Sequence, residues 1–296
     1  PRTAYGQSRF RSRGEIRQSA SPRPSFRETL MPKRPLIISA LTALLGVLLA
    51  GVPAGAVAQA ASGADAAIPA ADMAAAESKK LHELFEGYFE EYLALDPLLA
   101  TSIGDPRYND RFEVSISPDW RARNERLQRG YLERIKAIEP DRLDPQDRIS
   151  YEVFRSAREM EIEGLRFPGH LVPLNQFYSV PNTFVQLGSG SGLQPFRTVQ
   201  DYDAFLKRVD GLVAWTDQAI VNMREGAAKG YTLPRVLAER VLPQLESQVV
   251  ARPEDSSFWG PVKAMPNEFT AADRERLTAA YRSMIETKIF PTYRRL

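Results

Sequence analysis

Apolar residues along the second half of the first hundred positions fall at Leu81, Leu84, Phe85, Tyr88, Phe89, Tyr92 and Leu93. These are the i, i+3, i+4, i+7 intervals of a helix with one buried face. The stripe breaks at Asp96-Pro97, where Asp96 is placed to cap a short second helix with Pro97 at its first position, and Gly104 ends that turn. Ser117-Pro118 opens a further helix with Trp120, Leu127, Tyr131, Ile135 and Ile138 inward. Asp144-Pro145 opens another, and its apolar stripe, Ile149, Val153, Phe154, Ala157 and Met160, predicts the core-facing side. Thr198 with Asp201 has the spacing of a capping box before a long helix that closes near Gly226–Gly230. Leu233-Pro234 starts the next, with Pro243 expected to kink it, and Thr270 with Asp273 repeats the cap pattern before Leu277, Tyr281, Met284, Ile285 and Ile289. Strand alternation is scarce, so the expected fold class is all-α, an irregular multi-helix domain.

One stretch has no helical period. Residues 169–197 hold Pro173, Pro181 and Pro195 and the run Gly188-Ser-Gly-Ser-Gly192, together with Leu171, Leu174, Phe177, Tyr178 and Phe184. The expectation is a long ordered loop tucked against the helices, since loops of this length inside a compact domain are commonly functional. The glycines are not a phosphate loop, because no Gly-Lys-Ser/Thr follows them.

The first sixty residues carry a different pattern. Met31-Pro-Lys-Arg precedes an apolar run from Leu36 to Leu49, then Pro53 and a small-residue stretch with A-x-A sites ending at Ala58 or Ala60. A basic start, a short apolar centre and small residues at the cut are the parts of a secretory signal peptide, with cleavage after Ala58 or Ala60. The competing reading is an uncleaved anchor to the inner membrane, which requires carrying the apolar stretch past Pro53. The expected organisation is therefore a disordered tail or over-extended start at 1–30, a signal peptide at 31–60, a linker at 61–75 and a helical region at 76–296. The destination is periplasmic or extracellular, and the membrane is touched only through the apolar segment.

Charge narrows the partners. The chain carries +2 overall, but nine of its 39 basic residues and two of its 37 acids lie in residues 1–60. The remaining 30 bases against 35 acids leave −5, which argues against a nucleic-acid partner. There is no cysteine and there are two histidines, His82 and His170. A thiolate zinc site and a cysteine nucleophile are thereby excluded. His82-Glu83-Leu84-Phe85-Glu86 is one residue short of the H-E-x-x-H zinc helix, and its Leu84 and Phe85 belong to the core stripe. No catalytic and no metal-ligating residue is assigned. Asn175 and Gln176, in the 169–197 segment, are the candidate substrate contacts, with satisfaction of loop backbone as the competing role.

The run Asp96-Pro97-Leu-Leu-Ala100-Thr101-Ser-Ile-Gly104-Asp105-Pro-Arg107-Tyr-Asn109-Asp110 resembles the opening of the bacterial DUF885 family. Further matches keep that family's order: Leu143-Asp144 with Asp147 and Tyr151, Pro173-Leu-Asn175-Gln176-Phe177, Asp201-Tyr202 with Leu206, and Met223-Arg224 with Gly226, Gly230 and Pro234. The resemblance spans about residues 80–296 and implies a large exported helical protein similar to zinc metallopeptidases. It also implies that the histidine-rich zinc motif lies in a C-terminal half that this sequence does not match. On that reading the chain is an N-terminal, non-catalytic portion, inactive alone, forming one wall of a cleft for a peptide substrate. Its partner is the missing C-terminal half, and zinc is expected only with that half. The alternative is a non-enzymatic periplasmic helical binding or scaffold module, free or membrane-anchored.

Overall fold

Five of the side chains read as helix starts do that work in the structure. The computed structural model describes residues 70–296, in which every regular element is helical and no strand occurs. The tail at 1–30, the signal peptide with its Ala58 or Ala60 cut, and most of the linker lie outside the described residues. Helix α1 (Ala70–Leu95) begins inside the segment expected as linker, five residues before Ala75. Asp96 then accepts from the Leu99 N–H at 3.0 Å and starts α2 (Pro97–Ser102). Ser117 accepts from Trp120 N at 3.1 Å and starts α3 (Pro118–Lys136), and Asp144 accepts from Gln146 and Asp147 to start α4 (Pro145–Gly164). Each supplies a partner to N–H groups that the first helical turn leaves unpaired.

The segment expected as one long loop contains a helix, α5 (Val180–Gly188). Pro181 sits in its first turn, Phe184 and Leu187 are buried, and Gly188 closes it. Only nine residues long, it offers too few turns for a period to stand out among flanking prolines and glycines. Helix α6 (Val199–Ala228) follows with the full capping box: Thr198 Oγ1 accepts from Asp201 N while Asp201 Oδ2 accepts from Thr198 N. Helix α7 (Arg235–Glu246) runs on through Pro243. After the short α8 (Gly260–Lys263), α9 (Ala271–Met284) continues through a π-helical turn at Ile285–Ile289 into α10 (Phe290–Arg295).

Two apolar clusters hold these helices. In the first, Leu81 and Leu84 of α1 meet Leu127, Tyr131 and Ile135 of α3 and Tyr151 of α4. In the second, α6 is the axis: Tyr202, Phe205, Leu212 and Trp215 are at most 1% exposed and pack with Phe184, Phe258, Tyr281 and Ile289. Burying aromatics of this size contributes most of the stabilisation available to such a core. The chain between α2 and α3 lies directly on α6. A Cβ added at Gly211 would come within 2.4 Å of the Phe112 carbonyl oxygen, so only glycine permits this approach.

The side of α4 that faces the first cluster is not the one its aliphatic residues predict. Ile149, Val153 and Met160 are 59, 63 and 66% exposed. The inward side is built from Asp147, Tyr151 and Arg158, with Phe154 half-buried beside them. Arg158 lies 4.1 Å over the Tyr88 ring and 4.7 Å over Phe154, and Asp147 accepts from His82. A cation on two aromatic faces and a paired carboxylate satisfy the polar ends, so this side buries without a run of aliphatic residues.

Candidate functional site

The 169–197 segment, chosen from sequence as the substrate-facing part, forms a tightly tied turn beside α7. Asn175 Oδ1 accepts from the N–H groups of Phe177 at 2.8 Å and Tyr178 at 2.6 Å, while its Nδ2 donates to the Tyr178 carbonyl at 2.7 Å. Both ends of the amide are thereby spent on the backbone, as Asn commonly does in turns. Gln176 sits in the same turn, and its Oε1 is buried without a hydrogen-bond partner. Gln244 on α7 fixes the turn from below: its Nε2 donates to the Gln176 carbonyl at 3.1 Å and its Oε1 accepts from Asn182 on α5 at 2.7 Å.

This bracing has a consequence for the two aromatics that follow. Phe177 is 75% and Tyr178 87% exposed, in a turn tied by the Asn175 amide. Below Phe177 a hollow of about 520 Å³ runs along α7 between Leu237 and Pro243. The residues suited to contact another molecule here are thus Phe177 and Tyr178, with Asn175 holding them. Sequence reading singled out the amides because polar side chains in a loop suggest contacts; the signal for the aromatics was the Asn-x-Phe-Tyr turn spacing.

The two histidines are engaged separately. His82 Nε2 lies 2.8 Å from Asp147 Oδ1. Hydrogen bonds from Ser78 and His82 hold the Asp147 carboxyl below the usual carboxylate range. Serine, histidine and aspartate therefore meet on α1 and α4, a grouping the sequence did not reveal because Asp147 is 65 residues from His82. The order is wrong for nucleophilic catalysis: the carboxylate stands between the other two, whereas activation needs the imidazole beside the hydroxyl. His170 accepts at Nε2 from Arg121 Nη1 at 3.1 Å. Burial, and then the Arg121 charge, pushes its pKa down. Among the described residues no three His, Asp or Glu side chains come together as a metal ligand set. With one imidazole on a carboxylate and the other under a guanidinium, the donors of this segment do not fit a catalytic zinc site, which takes three protein ligands and an open position.

The motif that carried the resemblance has a structural role. Arg208 of α6 is fully buried, and its guanidinium donates to the Arg111 carbonyl at 2.9 Å, the Tyr108 carbonyl at 2.6 Å and Thr101 Oγ1 at 2.8 Å, with Gln194 Oε1 as a fourth acceptor. Thr101 in turn donates to Asn109 Oδ1 at 2.9 Å. Among the described residues no carboxylate pairs with this cation, and burial lowers its pKa to about 10. The Thr101–Asn109 stretch is thus a cradle of oxygens around a buried arginine, locking the α2–α3 connection onto α6.

Among curated proteins none matches this chain. A crystal structure described as that of "the putative lipoprotein from Colwellia psychrerythraea" superposes with a TM-score of 0.62 at 13% identity. The match covers 74% of this chain and 40% of that one, so the chain spans well under half the length of the protein it resembles in fold. A family model described as "Bacterial protein of unknown function (DUF885)" matches residues 97–296. That span takes in the arginine cradle, the Asn175 turn and α6 through α10, and with more than half of its length matched the chain belongs to the DUF885 family.

Proposed function

We propose that this chain is the non-catalytic N-terminal portion of an exported, zinc-dependent peptidase-like hydrolase, and that it supplies one wall of a cleft completed by the rest of that protein. The observation that carries the reading is the outer side of α4. Ile149, Val153, Met160 and, just past the helix end, Phe167 lie on one line and are each more than half exposed. Contiguous exposed apolar surface marks contact sites on proteins. The fold neighbour's greater length supplies a natural occupant, since 60% of that chain lies beyond the matched part. The Phe177–Tyr178 turn is a second outward apolar feature, suited to line a cleft for peptide.

Zinc and the chemistry of hydrolysis belong, on this reading, to the remainder. The part played here is to hold and orient. Export rests on the 31–60 pattern, and N-terminal sequencing of the secreted form is expected to begin after Ala58 or Ala60.

Metal analysis and peptide hydrolysis, run in parallel on this chain and on a DUF885 protein of full family length that contains it, test the proposal. The longer protein is expected to hold about one zinc and cleave peptides, and this chain to do neither. Zinc retained by this chain and lost in His82→Ala would contradict it. A longer protein with neither metal nor hydrolysis would favour the alternative of a helical binding module.

A further inference from the structure

A hollow of about 520 Å³ between the C-terminal half of α1 and the outer face of α3 is lined by Arg111, Arg123, Arg126 and Arg134, with Glu91 as its single acid. Residues 61–296 carry five more acids than bases, so four guanidinium groups around one hollow is a local reversal of the molecule's charge. The lone acid is already engaged, accepting from Tyr131 Oη at 2.8 Å. Two of the cations are braced: Arg123 pairs with Glu113 at 2.7 Å and Asp119 at 3.0 Å, and Arg111 pairs with Glu113 at 3.0 Å. Arg134 is placed by the Tyr131 ring, 4.3 Å beneath its guanidinium carbon. Neither Arg126 nor Arg134 has a carboxylate within 4.0 Å among the described residues, unlike Arg129 between them, which pairs with Glu125.

Sequence spacing shapes the hollow further. Arg126, Gly130 and Arg134 stand one turn apart along α3, about 6 Å of rise between each. A Cβ built on Gly130 would meet nothing within 4 Å, so the turn between the two free cations is bare and open. Beneath it Leu95 and Leu127 supply an apolar floor. A pair of guanidinium forks separated by a bare, greasy slot matches an anion with two charged ends and a hydrocarbon middle. Arginine favours planar carboxylate, which its fork binds through two parallel hydrogen bonds.

We propose that the α1–α3 groove is a binding site for an aliphatic dicarboxylate, gripped at its ends by Arg126 and Arg134 and lying across Gly130. The inference stands apart from the peptidase reading, since it concerns a site complete within this chain. Isothermal titration calorimetry on the full chain at low salt, with suberate as probe, tests it. Suberate is expected to bind saturably, at least about tenfold more tightly than octanoate, and its diamide not at all, since each charge-assisted contact is worth that much or more. R126Q and R134Q are each expected to weaken suberate by about tenfold or more, and G130L to block it with every charge retained. R129Q, which removes a neighbouring charge outside the groove, leaves binding unchanged. These positions are solvent-exposed, and unchanged thermal melting of the variants verifies the fold. Absence of saturable suberate binding, equal loss in R129Q, or inorganic phosphate binding as tightly as suberate would each overturn the proposal.

Discussion

Arg208 illustrates how much of this molecule depends on single polar contacts between distant residues. Its guanidinium is entirely out of water and is satisfied by oxygens alone, two of them main-chain carbonyls about a hundred residues earlier. Arg208→Met keeps the bulk of the side chain and strands those acceptors, and is expected to cost about 2–4 kcal/mol, read by urea denaturation. The Thr101–Asn109 motif was legible in the sequence as a signature; its purpose was not, because nothing local marks the arginine that fills it. Asp147 makes a second case. Its carboxyl is held below the ordinary range when folded, so the stabilisation is complete above the unfolded value near pH 4 and is lost as pH falls through the depressed one. Asp147→Asn is expected to lower stability at neutral pH and to flatten the acid limb of the stability profile. An acid limb as steep as that of the unaltered protein would mean that the His82 and Ser78 contacts do not form.

At the scale of elements, starts were easier to foresee than faces. Asp96, Ser117, Asp144, Thr198 and Thr270 all cap as expected, because capping is decided within four residues. The face of α4 was misassigned because hydrophobic periodicity follows aliphatic residues, whereas here an arginine and a tyrosine do the packing. The turn at Asn175 and helix α5 were hidden in one irregular stretch, being shorter than the window over which a period can be read. A pair of substitutions separates the two sides of α4. Tyr151→Ala is expected to cost about 3–5 kcal/mol, as for other buried aromatics. Ile149→Ser is expected to stay within about 0.5 kcal/mol, as for exposed positions. Comparable losses at both sites in thermal melts of this chain would mean that the outer side of α4 is already buried in it.

The described residues form a set of helices around two apolar clusters, with the arginine cradle tying the α2–α3 connection to α6. The all-α class and most helix starts were legible from sequence; the grouping of Ser78, His82 and Asp147 and the arginine-lined groove depend on how α1, α3 and α4 meet, which no local pattern encodes. In the described residues no helix is long and apolar enough to cross a membrane. On the proposed function, the remainder of a longer DUF885 protein covers the α4 stripe. Peroxide footprinting at Met160, read by mass spectrometry, reports on that stripe directly, since oxidation of methionine tracks its access to solvent. Met160 is 66% exposed and Met284, at 4%, is the internal reference. Met160 is expected to oxidise rapidly in this chain and to be protected to the level of Met284 in the longer protein. Equal, rapid oxidation of Met160 in both would contradict the proposed function.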